Sequence, residues 1–570
     1  MRTSPSTFRT GIRSHPYLNR QLIAYIGNKR PLLPFLARIF HKVRARTGAR
    51  TFLDPFAGTG VVSRLARTLG FEVTAGDWEF YASLVNKAYL EIDASDLPLL
   101  YRHLGGIEEV LSVLNRRGAA GYPRAPYISR YYAPRSLEDA DPSSERLFYT
   151  PYNARFIDVV RETIEEWYPG WDLPDPAGKE KALLVALLLY GAAKHANTSG
   201  LFKAFHRGFG GHGRDALTRI LAPIRIPHPV LLEHGPSART FCEDAFSLVS
   251  RIEADLCYLD PPYTIHQYGS NYFMLNTIAL WDRPPVSEER DREGKLVHKA
   301  GIRSDWKRTW SPFCSRRYAE EAMEALVVQV RAPVLLVSYN TDGIIPCERL
   351  VDILSLHGSV EVEVANHTAY RGGRQSIHRK TGTVEYVCIL TRGKPASPEL
   401  RRSLRHVLAV KEVEALLSRG FRPALLSRLF RLEGDLLHLS PSLPPVKTIA
   451  GYLPQGAPPG LERCSLEELE SMRADLSLAA CTDKEEEFYV ALSILPRLSH
   501  RKEVRLLSKR VVWLLSKFAF KKYRCEFSRA VSHLQHLLAS SPGAYPLIER
   551  DLARLLERAR RRMGKMERQE

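Results

Sequence analysis

The sequence predicts an α/β protein whose main feature is a largely parallel β-sheet. From Thr51, a strand-like run leads into a Gly-rich turn and a helical pattern, and a second strand-like run ending at Asp77 precedes a second helical pattern. Such alternation is typical of a parallel sheet with helices on its faces. Further strand-like runs occur at 254–260, 332–340, 359–367 and 384–391. The last two flank a polar, basic stretch, and we expect them to form a hairpin that ends the sheet.

The chain of 570 residues is too long for one hydrophobic core, and we predict four parts. These parts are an N-terminal arm with the first half of the sheet domain (1–95), a mainly helical insertion (96–238), the second half of the sheet domain (239–395) and a basic, all-α region (396–570). Helical patterns at 151–168 and 177–195 indicate that the insertion is mainly helical. A Pro- and Gly-rich stretch at 439–460 is expected to separate two helical parts of the C-terminal region.

The net charge of +19 is concentrated at the two ends of the chain. Residues 1–50 contain 11 Lys or Arg and no Asp or Glu, and residues 401–570 contain 31 basic and 20 acidic residues. Basic ends around a nearly neutral middle predict a polyanionic partner, most simply nucleic acid. A solubilising basic surface is the alternative at this point.

Several protein classes are disfavoured by composition. No apolar run approaches the roughly 18 residues of a membrane span. None of the eight cysteines forms a C-x-x-C pair, so neither a zinc site nor a disulfide framework is indicated, and we expect no metal. The basic N-terminus lacks the apolar core of a signal peptide. We therefore expect an intracellular protein in a reducing compartment.

A Gly-rich loop, "LDPFAGTG", follows the first predicted strand. Gly58 and Gly60 let the backbone turn sharply and approach a ligand, and the following helix offers free N–H groups. Asp77 ends the second strand about 20 residues later, where a carboxylate commonly accepts hydrogen bonds from ribose hydroxyls; a helix N-cap is the alternative. No P-loop lysine follows the glycines, which disfavours a nucleoside triphosphate. A nicotinamide cofactor stays open on this observation alone.

The segment Asp260-Pro261-Pro262-Tyr263 follows the strand-like run at 254–260. Each proline restricts its own φ and pushes the preceding residue toward extended geometry. The segment is therefore stiff and presents fixed acceptors beside a flat ring. A proline turn that merely ends a strand is the alternative.

The Gly-rich loop followed much later by Asp260–Tyr263 resembles the amino-methylating DNA methyltransferases, and the resemblance covers roughly residues 20–395. D-P-P-Y is the form usual for N6-adenine enzymes, and the order of motifs is similar to the Dam-related D12 class. The resemblance implies a Rossmann-like fold and S-adenosylmethionine as the cofactor, without a metal. It also implies that Asp260 and the Pro261 carbonyl accept from an amine that Pro262 helps to position, while Tyr263 stacks on a flipped base.

The same resemblance extends to further cofactor residues. "AYIGNKRPLLPFL" at 24–36 is similar to an N-terminal cofactor motif, which assigns Tyr25 and Lys29 to the methionine part, with Lys29 pairing its carboxylate, and includes Gly27 among the cofactor-binding residues. "FCEDAFSLV" implicates Asp244 in contacts to the cofactor's adenine, with Glu243 as a rival and a helix cap as the alternative. The remaining residues of this set are Asp54, Phe56, Gly58, Gly60 and Asp77.

Contacts to DNA are expected in three places. By resemblance, the insertion reads the target sequence, and the residues after Tyr263 begin a loop and helix that line the base pocket, namely His266, Gln267, Tyr268, Asn271 and Tyr272. Helix packing and capping is the alternative for these residues. A general-base role for His266 is disfavoured, because Asp260 or water offers a simpler route for the proton. The basic stretch 370–382 is expected to contact phosphates through Arg371, Arg374, Arg379 and Lys380. A solvated hairpin tip is the alternative for that stretch.

The sequence therefore predicts a site-specific adenine-N6 DNA methyltransferase of restriction-modification or related phage defence. The alternatives are an N4-cytosine or RNA-adenine methyltransferase, or a catalytically silent DNA-binding subunit. Duplex DNA is the expected partner, and separate restriction or defence subunits are compatible with it. We expect a cytoplasmic, nucleoid-associated prokaryotic protein. The amphipathic stretch 500–527 is interpreted as an extension of the DNA footprint or a docking face for a partner subunit.

Overall fold

The computed structural model describes residues 11–209, 214–368, 384–395, 400–520 and 523–563. The chain forms two compact units. Unit 1 comprises residues 1–367 and 385–397, and unit 2 comprises residues 368–384 and 398–570. The finer division of unit 1 at residues 95 and 238 stays a prediction.

A seven-stranded sheet forms the centre of unit 1, with the order β3-β2-β1-β4-β5-β7-β6. Its strands are β1 Thr51–Asp54, β2 Glu72–Gly76, β3 Ala238–Phe241, β4 Leu256–Leu259, β5 Val334–Asn340, β6 Ser359–Thr368 and β7 Val384–Thr391. Strands β3, β2, β1, β4 and β5 pair in parallel, whereas β7 runs antiparallel to β5. Every residue of β5 is buried, as expected for a central strand covered on both faces. The α/β, Rossmann-like fold class is confirmed.

The strand directions bring distant polar residues to one edge of the sheet. Asp54 ends β1 and Asp260 directly follows β4, and these strands are parallel neighbours. Asn340 ends β5 and lies opposite Glu385 near the start of the antiparallel strand β7. All four side chains are therefore carried to the carboxyl edge of the parallel strands, where ligands bind in folds of this class.

Helices surround the sheet and share its hydrophobic core. The helices of unit 1 are α1 Pro16–Asn19, α2 Leu33–Thr47, α3 Val61–Thr68, α4 Phe80–Leu90, α5 Ile107–Ala120, α6 Ile128–Tyr131, α7 Pro151–Trp167, α8 Ala177–His195, α9 Arg214–Leu221, α10 Ala245–Arg251, α11 Tyr268–Asn271, α12 Phe273–Leu280, α13 Ala319–Gln329 and α14 Cys347–Ser355. Helices α3 and α4 pack against β2. The nearly continuous apolar sequence of α8 is buried on most sides, and α8 packs on α4, α7 and α12.

The predicted strand runs agree with β4 to β7 to within about two residues, but β3 was missed. Its four residues, Ala238–Phe241, include Arg239 and Thr240 and show no apolar alternation. The strand forms because β2 offers a parallel partner from Val73 to Gly76. A pairing of this kind depends on a neighbour about 160 residues away and leaves no local pattern.

Unit 2 is largely helical and has a small sheet of its own. Its helices are α15 Leu400–Leu416, α16 Pro423–Leu429, α17 Leu466–Ala479, α18 Lys484–Ile494, α19 Arg501–Phe518, α20 Arg524–Ser540 and α21 Pro546–Met563. Its strands are β8 Arg431–Glu433, β9 Leu436–His438, β10 Val446–Ile449 and β11 Leu453–Pro454. The helical character of the C-terminal region is confirmed, but the region is not all-α.

The stretch 439–460 is accordingly more than a separator. It contributes β10 and β11 to the four-stranded sheet, and Tyr452 within it is fully buried. These strands have only two to four residues each, too few for an alternating pattern to be visible in the sequence. Two hydrophobic clusters stabilise the unit, one mainly within 409–480 and one mainly within 481–559.

Candidate active site

A cleft opens at the carboxyl edge of the sheet in unit 1. Its volume is about 970 Å³, counted together with space open to solvent. The cleft brings together most of the site residues predicted from the sequence. These are Tyr25, Gly27, Lys29, Asp54, Phe56, Gly58, Asp77, Asp244, Asp260, Pro261, Pro262, Tyr263 and Tyr268.

The Gly-rich loop between β1 and α3 forms one wall of the cleft. Gly58 has a φ of +53°, and a Cβ at this position would lie 3.0 Å from Cε1 of Tyr25. The Gly58 N–H donates to Oδ2 of Asp77 over 2.9 Å, and the Glu79 N–H donates to Oδ1 of the same carboxylate over 2.9 Å. Asp77 therefore fixes the loop as well as lining the cleft, and only glycine leaves this approach open.

Two buried carboxyl groups lie beside this loop. Burial raises the pKa of Asp54 to about 7, although a 2.6 Å hydrogen bond from Ser63 to Oδ2 opposes the shift. Burial likewise raises the pKa of Asp77 to about 7, opposed by the backbone N–H groups of Glu79 and Gly58. Desolvation is the dominant cause in both cases. Both groups remain acceptors for a ligand hydroxyl or amine.

Aromatic side chains from three separate segments form an apolar wall. The rings of Phe246 and Phe313 are stacked at 6.0 Å and 15°, and Phe56 meets Phe313 edge-on at 5.5 Å. Phe246 follows Asp244, whose side chain caps α10 by accepting from the Phe246 N–H over 2.8 Å. The helix cap considered for Asp244 is therefore present, and the residue also lines the cleft. Flat apolar walls of this kind suit a heteroaromatic ring.

Phe313 was not predicted from the sequence. It lies in a short 3-10 turn, Pro312–Cys314, about 50 residues after Tyr263 and outside any recognisable motif. The neighbouring residues Thr309 and Ser311 also line the cleft. The sequence carries no signal for these positions, because they reach the cleft only through the tertiary fold.

A buried charge cluster adjoins the cleft and contributes Lys29 and Asp260 to its lining. Nζ of Lys29 lies 3.0 Å from Oδ1 of Asp260 and 3.5 Å from Oε2 of Glu385. Lys29 is only 3% exposed, and Glu385 also accepts from Nδ2 of Asn340 over 3.3 Å. Lys29 thus bridges two carboxylates, one of which belongs to the predicted catalytic segment. Glu385 and Asn340 were not predicted as site residues.

The charged groups in this cluster shift one another's pKa values. Burial raises the pKa of Asp260 to about 6; the Lys29 ammonium opposes this shift and the Glu385 carboxylate adds to it. Burial disfavours the charged form of Lys29, but Asp260, Tyr263 and Glu385 together raise the pKa of Lys29 well above its usual value. At neutral pH the cluster therefore holds an ammonium and an ionised Asp260.

Tyrosine rings surround the charge cluster. The ring centroid of Tyr263 lies 4.9 Å from Nζ of Lys29, and the Tyr263 ring meets Tyr339 edge-on at 5.5 Å. Tyr25 stacks on Tyr272 at 4.8 Å and contacts Tyr268 at 5.1 Å. The Ile26 N–H donates to the Tyr272 hydroxyl over 2.7 Å. These contacts hold the segment that carries Lys29 against the segment that follows Tyr263.

Some predicted residues lie elsewhere. Gly60 caps the N-terminus of α3 and does not line the cleft. His266 is exposed outside the cleft, and Gln267 exchanges two hydrogen bonds with the backbone of Ser311. Glu243, the rival to Asp244, pairs with Arg251.

The phosphate-contact candidates Arg371, Arg374, Arg379 and Lys380 lie outside the described residues. Within the described ranges, no group of three or more His, Cys, Asp or Glu residues is arranged to hold a metal ion. In the same part of the chain, no helix is long and apolar enough to cross a membrane.

Comparison with known proteins shows which family unit 1 is similar to. The family of D12 class N6 adenine-specific DNA methyltransferases matches residues 25–118 and 184–292. Type II methyltransferase M.NlaIII of Neisseria lactamica is 29% identical over 372 residues, covering 64% of this chain and 98% of that protein. Type II methyltransferase M.CviAII of Paramecium bursaria Chlorella virus 1 is 27% identical over 352 residues, covering 61% of this chain and 93% of that protein.

Modification methylase LlaI of Lactococcus lactis subsp. lactis is 29% identical over 372 residues, and here the chain spans only 54% of the relative's length. The segments that match the family model lie in unit 1 and contain the Gly-rich loop, the segment of Lys29 and the Asp260–Tyr263 segment. Within unit 1 the chain is therefore similar to the D12 class of N6 adenine-specific DNA methyltransferases and to type II modification methylases, which supports an S-adenosylmethionine-dependent DNA methyltransferase.

Proposed function

We propose that this enzyme transfers the methyl group of S-adenosylmethionine to N6 of an adenine flipped out of duplex DNA. The observation that carries the proposal is the position of Asp260. Its carboxylate follows β4 directly, is held by Pro261 and Pro262, and opens into the same cleft as the Gly-rich loop. A fixed acceptor for an amine and the Gly-rich loop are thus adjacent in one cleft.

The residues of the cleft fit the cofactor. Gly58 has no side chain, so the cofactor can contact the backbone closely at this position. Asp77, which follows β2, can accept hydrogen bonds from the hydroxyl groups of a ribose. Phe56, Phe246 and Phe313 suit the flat face of an adenine ring. The cofactor's sulfonium supplies an activated methyl group and a neutral thioether leaving group, so orientation of the amine is the main task left to the protein.

Asp260 and Tyr263 are assigned to the target base. In our proposal the Asp260 carboxylate and the Pro261 carbonyl accept the two amine hydrogens, which favours a tetrahedral, nucleophilic nitrogen. The Tyr263 ring supports the base by stacking. As the nitrogen gains the methyl group it loses one proton, which leaves to Asp260 or to solvent.

Lys29 and Glu385 set the state of Asp260 before the base arrives. Lys29 contacts the Asp260 carboxylate at 3.0 Å, so an incoming amine competes with the ammonium. Glu385 holds the same ammonium at 3.5 Å and thereby provides it with a second anionic partner. We assign Lys29 and Glu385 as positioning residues for Asp260. The predicted pairing of Lys29 with the cofactor's carboxylate stays a prediction.

We place the enzyme in restriction-modification, because similar proteins bear the names type II methyltransferase and modification methylase. In this setting, reading of the target sequence is assigned to the insertion 96–238, whose helix α8 packs on α4 and α12. The flipped base would then enter a cleft whose walls come from both halves of the sheet domain.

The test is methyl transfer from labelled S-adenosylmethionine to duplex DNA, followed by digestion of the product to nucleosides. We expect N6-methyladenine with the wild-type protein and no product with Asp260→Ala, whose binding of the cofactor should persist. 4-Methylcytosine as the product would replace the proposal with cytosine-N4 transfer. Label on RNA but not on duplex DNA would replace it with RNA methylation. Cofactor binding without label on any nucleic acid would indicate a catalytically silent subunit.

A further inference from the structure

Helix α19 in unit 2 divides sharply into a buried and an exposed side. Its buried residues belong to the core of the unit and are Leu507, Ser508, Val511, Leu514, Leu515 and Phe518. The opposite side carries exposed cations, namely Arg501, Lys502, Arg505 and Lys509. We call these four side chains the basic face. At 1.5 Å per residue they extend along about 12 Å of the helix.

The cations of the basic face have no acidic partner among the residues that the structure describes. Within the described residues, no carboxylate oxygen lies within the 4.0 Å limit of an ion pair with any of the four. Nearby acids are already engaged: Glu503 pairs with Lys447 at 3.4 Å, and Glu487 pairs with Arg510. The positive charge of the basic face is therefore available to an external partner.

The position of these cations is unfavourable for the helix itself. Arg501 and Lys502 occupy its first two positions, where the helix dipole disfavours positive charge by roughly 0.3–1 kcal/mol each. His500 supplies no side-chain cap. By contrast, α17 begins with a capping box at Ser465 and α18 begins with Asp483, each followed by glutamates. Glu503 in the first turn of α19 offsets part of this cost, and α20 likewise begins with an arginine, Arg524, and no side-chain cap.

An exposed tryptophan continues the basic face toward the C-terminal end of the helix. Trp513 is 38% exposed, and its ring lies 4.5 Å from the Arg510 guanidinium and 4.6 Å from Nζ of Lys517. Lys517 thereby adds one further cation along the same helix, whereas Arg510 is already paired with Glu487. The whole surface combines regularly spaced positive charge with an aromatic ring, a combination suited to a nucleic acid backbone.

We infer that the basic face of α19 is a second DNA-binding surface, which contacts phosphates of the duplex independently of base recognition. This inference rests on the proposed function, since the partner is the same duplex DNA that the cleft would methylate. Charge complementarity favours a polyanion, and duplex DNA carries one negative charge per about 1.7 Å of helix axis. The contact adds affinity without sequence specificity.

The experiment compares two full-length variants in which four exposed cations of unit 2 become glutamine. The first replaces the basic face (Arg501→Gln, Lys502→Gln, Arg505→Gln, Lys509→Gln). The matched control replaces four exposed arginines elsewhere in the unit (Arg428→Gln, Arg431→Gln, Arg463→Gln, Arg473→Gln). Binding to a duplex oligonucleotide is measured by fluorescence anisotropy over a range of salt concentrations, beside the wild type.

Four phosphate contacts contribute about 0.9 each to the slope of log affinity against log salt. We expect the slope of the basic-face variant to be shallower by about 3 to 4, and that of the control to stay within about one of wild type. Thermal stability of the basic-face variant should not fall, because the substitutions relieve an unfavourable interaction with the helix dipole.

Equal salt slopes for the two variants would overturn the inference and leave the proposed function intact. Absence of duplex binding by the wild type itself would contradict the proposed function, and the inference with it. Methyl transfer at saturating DNA and low salt should proceed at the same maximal rate in the basic-face variant, with a raised KM for DNA. A lower maximal rate with unchanged KM would also contradict the inference.

Discussion

Replacing Glu385 with glutamine should change the pH dependence of methyl transfer. Both Glu385 and Asp260 contact Nζ of Lys29, at 3.5 Å and 3.0 Å, so their contacting oxygens lie within about 6.5 Å of each other. Two unit charges at that separation interact by about 2.5 kcal/mol at an effective dielectric constant of about 20. That energy corresponds to nearly two pKa units, and Lys29 between the carboxylates screens part of it.

The expected direction follows from the role of each charge. Activity requires an ionised Asp260, whose pKa is about 6, so the wild-type rate should fall as the pH drops through about 6. Glu385 contributes to raising the pKa of Asp260, together with burial. In Glu385→Gln the acidic limb should therefore move to lower pH, by about one unit. The other charged or titratable groups that act on Asp260 and Lys29, namely Asp54, Tyr258 and Tyr263, are unchanged in this variant.

The same substitution should lower the maximal rate at pH 8 by about tenfold or more. Without Glu385, Asp260 is the one carboxylate partner that Lys29 keeps among the described residues, and an incoming amine must displace a stronger contact, worth about 1.5–3 kcal/mol. Single-turnover rates across pH 5–9 measure both effects. Glu361→Gln serves as the control, because Glu361 also pairs with a lysine, Lys42, but in an exposed ion pair that does not include Lys29 or Asp260. Glu385→Asp should restore part of the wild-type profile.

The reasoning would be refuted by a Glu385→Gln profile whose acidic limb stays at the wild-type pH while the rate falls. That result would reduce Glu385 to a structural role. A shift to higher pH would reverse the assigned electrostatics. A general loss of folding is distinguishable, because it would lower cofactor binding and thermal stability together at every pH.

Three further substitutions test other parts of the cleft. Gly58→Ala should abolish cofactor binding and lower the free energy of unfolding by about 1–2 kcal/mol, because φ is +53° and the new Cβ would lie 3.0 Å from Tyr25. Isothermal titration measures the first effect and thermal melting the second. Tyr263→Ala should lower kcat/KM for DNA by about 10- to 100-fold through lost stacking, whereas Tyr263→Phe should stay near wild type in the same kinetic assay. Phe313→Ala should weaken the cofactor Kd by about tenfold, and an unchanged Kd would exclude this ring from the cofactor site.

Most of the residues predicted from local motifs line the cleft, because the position of each depends mainly on its own strand and turn. Asp54 ends β1, Asp77 follows β2 and Asp260 follows β4. An apolar run with a terminal acid was therefore sufficient to predict that these residues lie at one edge of the sheet. Gly58 was predictable for the same reason. Their roles in binding and catalysis stay predictions, and so do the phosphate contacts proposed for residues 371–380.

His266 and Gln267 illustrate the limit of extrapolating from a motif. They follow Tyr263 closely in sequence, yet the backbone leaves the cleft before Tyr268 returns to it. Gln267 is directed instead toward the backbone of Ser311. The path of a loop depends on which segments it packs against, and the segment 309–313 gives no sequence signal.

The sequence by itself determined the fold class, the order of the motifs and the resemblance to the D-P-P-Y methyltransferases, because strand periodicity, turn residues and the D-P-P-Y segment are local features. The tertiary structure alone decided that Glu385 and Lys29, 356 positions apart, meet around Asp260. It did so because β7 inserts antiparallel beside β5 and brings its first residues to the carboxyl edge of the parallel strands. Pairing of buried charges depends on strand direction and packing, which no short stretch of sequence encodes.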